Sequence, residues 1–358
     1  MCEETKNERS THCVSVETKS YQCLGGGSRV CNNCWRNAPG RRITSFGCAF
    51  YGTVVGRMSK EFNVIAILGR HEDPRVGEPM AVLASYLTKA GAEVIAVPEV
   101  PAQLSVRRVS EEEIAGLADL IVAVGGDGTM LHAAGLAWEH DVPLLGVNRG
   151  RLGFLADVTP DEMLQSLDSI LDGEYSRDSR LLLDACLVSS DGRVVKATAL
   201  NDIVLKRRGT GRMIDFETSI ANQRVNTHSG DGLVVATPTG STAYALSCSG
   251  PIIEPQLDAI VVVPICPHTL SDRPIVVPAN LEIEVNLLER VDTQAEVAAD
   301  GHSFGAMTAT DRLFIGAADK RITLVHPPGY DFYEILRSKL HWGRDSRIRT
   351  NADHNGSR

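Results

Sequence analysis

The chain has 358 residues, enough for two separate cores, and its 43% hydrophobic and 23% charged residues are ordinary for a globular protein. A net charge of −9 excludes the broad basic face that non-specific nucleic-acid binding needs. No apolar run approaches the roughly 20 residues that cross a bilayer, so no membrane partner is expected.

Residues 1–57 carry eight basic and four acidic side chains, net +4, against −13 for the remainder. They show neither a 2- nor a 3.6-residue period, and Gly25-Gly26-Gly27 interrupts any element there. No apolar region of a signal peptide is present, and early acidic residues do not suit a transit peptide. Six of the nine cysteines fall here: Cys2, Cys13, Cys23, Cys31, Cys34 and Cys48. Cys31 and Cys34 have the spacing of half a zinc site, and Cys23 and Cys48 could bring four thiolates to a tetrahedron, but no second close pair is present as in a zinc ribbon. The segment reads as an extension outside the fold, with Met58 a candidate start. The other three cysteines, Cys186, Cys248 and Cys266, are scattered, as in a reduced intracellular protein, and a cytoplasmic location is expected.

From residue 63 the pattern alternates. Residues 63–68 (NVIAIL) form a buried strand, 79–90 a helix, 93–97 a strand, and Ser110 caps a short acidic helix. Residues 120–124 (LIVAV) are a third strand, 130–138 a helix and 144–147 a fourth strand. Alternation at this spacing predicts a parallel α/β sheet over 60–155. One more helix follows at 160–171. Strand-like segments then dominate 156–327: 180–188, 193–205, 214–220, 232–237, 259–263, 274–277, 281–287, 295–299 and 321–325. They predict an all-β domain of two packed sheets, sandwich-like, with one helix at 241–249. Residues 330–342 are read as a helix, in a segment 328–345 returning to the first domain.

Two motifs carry chemistry. Gly125-Gly126-Asp127-Gly128-Thr129 lies directly between a strand and a helix. Glycines there let amides approach phosphate oxygens, and the helix N-terminus adds positive partial charge. Asp127 is the only ionisable side chain in the loop. A carboxylate among phosphates is repelled unless it has a task, which is either holding Mg²⁺ or accepting the proton of an attacking hydroxyl. The second motif runs from Asp231 to Pro251 (DGLVVATPTGSTAYALSCSGP), another strand, glycine turn and hydroxyl-rich helix start. Tyr244 suits a ring ligand or, alternatively, a core position.

These motifs, in this order and about 100 residues apart, with Asn201-Asp202 between them, resemble the NAD kinase family over about residues 60–342. Gly-Gly-Asp-Gly alone is shared with diacylglycerol kinases, sphingosine kinases and phosphofructokinases, whereas the Asp231–Pro251 stretch is not. The resemblance implies a Rossmann-like α/β domain followed by an all-β NAD-binding domain, with ATP and NAD as substrates, Mg²⁺ as cofactor and a homo-oligomer, dimer or tetramer. By similarity Asp127 accepts the ribose 2′-hydroxyl proton, and Gly125, Gly126, Gly128 and Thr129 surround the phosphates. Asn201, Asp202 and Arg212 would contact NAD, with Gly128, Ser229 and His302. Asp231 and the segment Thr242, Ala243, Tyr244, Ala245, Leu246 and Ser247 would line the nucleotide pocket. The chain departs from the family at Cys248-Ser249, where Ala-Gly is usual, and at His302, where many relatives have Gln.

Overall fold

The structure, a computed structural model, describes residues 61–342 apart from 71, 99, 101–105, 151, 210–211 and 289–293. The readings for residues 1–57, including Cys23, Cys31, Cys34 and Cys48, and for Met58 lie outside these residues.

The first half alternates as its periodicity implies. In order come β1 (Val64–Gly69), α1 (Pro74–Lys89), β2 (Glu93–Ala96), β3 (Arg107–Arg108), α2 (Glu111–Leu117), β4 (Leu120–Val124), α3 (Asp127–Ala137), β5 (Leu144–Val147) and α4 (Met163–Leu171). All five residues of β4 are buried, as befits a strand covered on both faces. α1 begins five residues before the expected start. Asp73 accepts the Arg75 N–H (3.1 Å) and Pro74 fills the first turn, where no N–H is needed. Ser110 caps α2 as expected, with Glu113 reaching back to the Ser110 N–H at 3.0 Å.

The strands are parallel, in the order β3-β2-β1-β4-β5. α1 and α4 cover one face through Leu83, Leu87, Leu167 and Ile170. α2 and α3 cover the other through Ile114, Met130 and Ala133. The order reverses between β1 and β4, the point at which open α/β sheets bind ligands beyond their strand ends. Gly125–Thr129 lies there.

The second half comprises β6 (Ser176–Val188), β7 (Val194–Ala199), β8 (Asp202–Arg207), β9 (Ile214–Ile220), β10 (Gln223–Gly230), β11 (Gly232–Ala236), α5 (Tyr244–Ser247), β12 (Ala259–Ile265), β13 (Ile275–Pro278), β14 (Ile283–Leu287), β15 (Ala295–Ala299), β16 (His302–Met307), β17 (Arg312–His326) and α6 (Phe332–Leu340). Six strands form an antiparallel sheet, β13-β12-β11-β8-β15-β16. The others join the first sheet through β17, whose Leu324 pairs parallel with Leu144 of β5 while its length pairs antiparallel with β6 and β14. One eleven-stranded sheet therefore runs through both halves. Between the two sheets lies an apolar layer of Phe216, Ile203, Leu205, Leu233, Ile283 and Val297. The alternating burial of β9 (IDFETSI) shows how a period-2 strand supplies one face of it.

Three expectations change. Residues 193–205 form two strands, β7 and β8, broken at Leu200-Asn201. β3, β10 and β16 were not anticipated. The helix expected at 241–249 is a 3₁₀ turn (Gly240–Thr242) and one α-turn, separated at Ala243 (φ −98°, ψ −125°). Ser241 Oγ donates to the Pro238 carbonyl (2.6 Å) and accepts from the Ile253 N–H (2.9 Å). Such local bonds compete with a continuous helix.

Gly146 of β5 is a point where backbone packs on backbone. A Cβ there would lie 2.7 Å from both Ala156 Cα and the Leu155 carbonyl. Gly146→Ala is expected to destabilise the fold by about 1–3 kcal/mol, read as a lower Tm in thermal unfolding. An unchanged Tm would show that residues 155–156 move aside freely.

Candidate active site

Asp127 is the first residue of α3, and Gly126 is its N-cap. Its side chain is half-buried and turned toward the segment after β5. Oδ1 accepts the N–H groups of Leu155 (3.0 Å) and Ala156 (3.3 Å), and Oδ2 accepts that of Phe154 (3.1 Å). A Cβ on Gly153 would lie 2.2 Å from Oδ1, so this segment approaches closely only because Gly stands there. A carboxylate offers about four lone pairs. Three are used, and the open one is on Oδ2. The carboxylate therefore has partners, all of them amides, and no cation pairs with it among the described residues.

The loop glycines differ in role. Gly125 donates its N–H to the Val147 carbonyl (2.8 Å), and a Cβ on it would lie 2.2 Å from Thr129 Oγ1. Gly125 is thus a packing glycine, with Thr129 folded back over it. Gly126, Asp127 and Gly128 open the helix, where amides have no intrahelical acceptor. Gly128 faces open space. Arg149, which pairs with Asp73 at 3.3 Å, brings its guanidinium 3.8 Å from a Cβ position on Gly126. It is a candidate phosphate partner that sequence reasoning missed. Beside the loop, a cavity of about 590 Å³ lies between Gly69, Arg70, Pro98, Glu111, Thr129 and His132.

Asn201-Asp202 stands at the break between β7 and β8. The Asp300 carboxylate produces that break by accepting the N–H groups of Leu200 (2.7 Å), Asn201 (2.8 Å) and Asp202 (3.1 Å). Asp300 and Gly301 both have positive φ, 47° and 83°, and close the hairpin between β15 and β16. Sequence reasoning missed Asp300, although Asp-Gly after an apolar strand is a hairpin signal. Burial pushes the Asp202 carboxyl up, and Asp300 adds to this against one N–H bond from Tyr244, carrying it to about 7. Asp300 is raised too, by burial, against its three amides and His302. His302 is exposed at the same hairpin.

The second motif is built onto this turn. Thr237 donates its N–H to the Asn201 carbonyl (2.9 Å) and its hydroxyl to the Leu200 carbonyl (2.6 Å). A Cβ on Gly240 would lie 2.0 Å from the Asn201 carbonyl, so the two turns touch backbone to backbone. Tyr244 is 40% exposed, which rejects a core role and leaves its ring available. Asp231 accepts from Arg207 Nε at 2.6 Å, and burial, with smaller contributions from Cys248, Cys266 and Asp231, pushes the Tyr244 hydroxyl up. Ala245 is buried, whereas Thr242, Ala243, Leu246 and Ser247 line the turn with partial or full exposure.

The motifs are joined. Leu200, beside Asn201, lies in one apolar cluster with Met130, Leu155 and Ala156, which flank Asp127 and its amide partners. Ser229 donates to Asp215 (2.6 Å), and Arg212 is exposed, with no hydrogen bond or ion pair among the described residues.

Residues 72–175 match the family model for the ATP-NAD kinase N-terminal domain, and residues 200–327 that for the ATP-NAD kinase C-terminal domain. The chain is 42% identical over 295 residues to an NAD kinase of Aromatoleum aromaticum, covering 81% of this chain and 98% of that one. It is 43% identical over 289 residues to an NAD kinase of an Azoarcus species, covering 80% and 98%. Yeast NADH kinase, solved complexed with NADH, has a TM-score of 0.75 at 24% identity, covering 81% and 91%; that likeness is one of fold. An NAD kinase from Archaeoglobus fulgidus, solved with ATP, has a TM-score of 0.58 at 26% identity, covering 78% and 98%.

The Asp202 carboxyl generates a pH dependence of definite sign. Between its ordinary 3.8 and about 7, folded Asp202 holds a proton that the unfolded chain has released. Its contribution to stability therefore declines as pH rises through that window. Asp202→Asn removes the decline. The Tm of the variant minus that of the wild type is expected to increase steadily from about pH 4 to 7, and a constant difference would contradict this origin of the slope.

Proposed function

The chain belongs to the NAD kinase family, and from that premise we propose that it transfers the γ-phosphoryl group of ATP to the 2′-hydroxyl of the adenosine ribose of NAD. The observation that carries this reading is the open lone pair on Asp127 Oδ2, beside a helix start at the sheet's switch point. The hydroxyl oxygen attacks the γ-phosphorus, the bond to the β-phosphate oxygen breaks, and Asp127 takes the proton. Phosphoryl transfer passes through a loose transition state that needs in-line placement and charge stabilisation more than covalent help. The amides opening α3 and the Arg149 guanidinium supply that charge.

No group of three or more ligating side chains occurs among the described residues. Mg²⁺ arriving with ATP would take most of its oxygens from phosphate and water. When bound, the ion neutralises charge on the phosphates.

In the acceptor pocket Asn201, Asp202 and His302 contact NAD from the turn that Asp300 holds. Tyr244 presents its ring to the adenine, flanked by Thr242, Ala243, Ala245, Leu246, Ser247 and Asp231. Arg212 and Ser229 join it from the rim. The same reading separates an α/β half, which includes α4 and the returning segment 328–345, from a β-rich half, and puts the enzyme in the cytoplasm. No described helix is long and apolar enough to cross a membrane. Leu270, 92% exposed, and Val276, on the edge strand β13, support a homo-oligomer.

Coupled assay of ATP-dependent NADP formation tests the proposal. Asp127→Asn keeps the shape of the carboxylate and is expected to lose turnover by at least about 10²–10⁴-fold, the usual worth of a general base. Near-normal NADP formation by that variant would reject the assignment.

A further inference from the structure

A second polar cluster, largely buried, lies next to the segment that holds Asp127. Asp178 and Arg180, two residues apart on β6, point to the same side of the strand, and His326 ends β17. Arg180 Nε and Nη2 reach Asp178 Oδ2 at 2.7 and 2.6 Å. His326 Nδ1 lies 2.7 Å from Asp157 Oδ2, and its Nε2 lies 3.6 Å from Asp178 Oδ2, an ion-pair distance. Tyr330 stacks on the imidazole, with centroids 3.7 Å apart, and accepts from Arg180 Nη2 at 3.2 Å. His326 and Arg180 are each at most 2% exposed.

Burying four ionisable groups is costly, and such clusters are weak sources of stability. What they touch gives a better reason for their presence. Asp157 directly follows Phe154, Leu155 and Ala156, whose amides grip Asp127. Arg180 Nη1 donates to Thr239 Oγ1 at 3.2 Å, one residue before Gly240, which packs on Asn201. The cluster thus has one end on each half of the active site.

Arg180 pairs with Asp178, while His326 has the Asp157 carboxylate at one ring nitrogen and that of Asp178 near the other, a setting suited to a charged imidazole. Burial pushes His326 down, but Asp157 and Asp178 outweigh it and hold the ring above its ordinary value. Arg180 opposes this from β6, and the Tyr330 hydroxyl, pushed by burial up to about 12, stays neutral.

We propose that His326 is a positioning residue for phosphoryl transfer: bridging Asp157 and Asp178, it fixes the segment that aims Asp127 and, through Arg180 and Thr239, the turn carrying the second motif. This rests on the reading of Asp127 as proton acceptor. The bridge is complete while the imidazole is charged, and it is lost as pH rises through the raised value.

The test uses the full chain with His326→Gln, Asp157→Asn and Asp127→Asn. It measures kcat, KM for NAD and ATP, and thermal unfolding, from about pH 5 to 9. For His326→Gln, kcat is expected to fall about 10²-fold, as for an ångström-scale misplacement. Each KM should change by less than about threefold. The wild-type kcat should decline on the alkaline side, and His326→Gln should lack that decline. Asp157→Asn should lose kcat similarly, and the double variant should be no worse than either single one. Wild-type kcat or an unchanged alkaline decline in folded His326→Gln overturns the proposal. If that variant does not fold, wild-type kcat in Asp157→Asn overturns it. An active Asp127→Asn removes the function reading and this inference together, whereas inactive Asp127→Asn beside fully active His326→Gln removes the inference alone.

Discussion

Three backbone amides on one carboxylate organise this molecule's candidate chemistry. Asp127 opens the helix after β4, beside the sheet's switch point, and Phe154, Leu155 and Ala156 come to it from the segment after the neighbouring strand β5. Neither element alone would hold the side chain in one rotamer. Amides suit the task better than a lysine or arginine would. They orient the carboxylate with fixed partial charges and leave one lone pair of Oδ2 for an incoming donor. The close approach depends on Gly153 and Gly146, whose missing side chains let backbone pack on Asp127 and on residues 155–156.

The two halves of the site stay in register because they are not separate bodies. β17 is fifteen residues long and belongs to both halves, pairing with β5 at one end and with β14 at the other. The acceptor side repeats the logic of the phosphate side, with a carboxylate gripping successive amides. Asp300 holds Leu200, Asn201 and Asp202 as the 154–156 amides hold Asp127, with donor and acceptor exchanged between turn and anchor. Strand pairing thus does the coarse placement, and aspartates on backbone do the fine placement.

Much of this was legible in the sequence. β4 and β5 read correctly because a strand buried on both faces is a short apolar run, and β9 because one half-buried alternates. The motifs read correctly as turns between strand and helix because glycine and hydroxyl residues punctuate them. Other features depend on distant partners. The break at Leu200-Asn201 has no glycine or proline of its own and arises from Asp300, about 100 residues on. β10 carries few apolar residues because it lies at a sheet edge. The shortened helix after Gly240 follows from Ser241 bonding to Ile253, a contact that no periodicity reports. Asp157, Asp178, Arg180 and His326 look like ordinary loop and strand residues until the fold brings them together.

The central claim is geometric, and a structure of the chain with NAD and a non-transferable ATP analogue addresses it directly. The account predicts the ribose 2′-oxygen within about 2.6–3.2 Å of the Asp127 carboxylate, with the γ-phosphorus in line beyond it. NAD seated between Tyr244 and the Asn201 turn, but with its 2′-hydroxyl directed away from Asp127, would contradict the account.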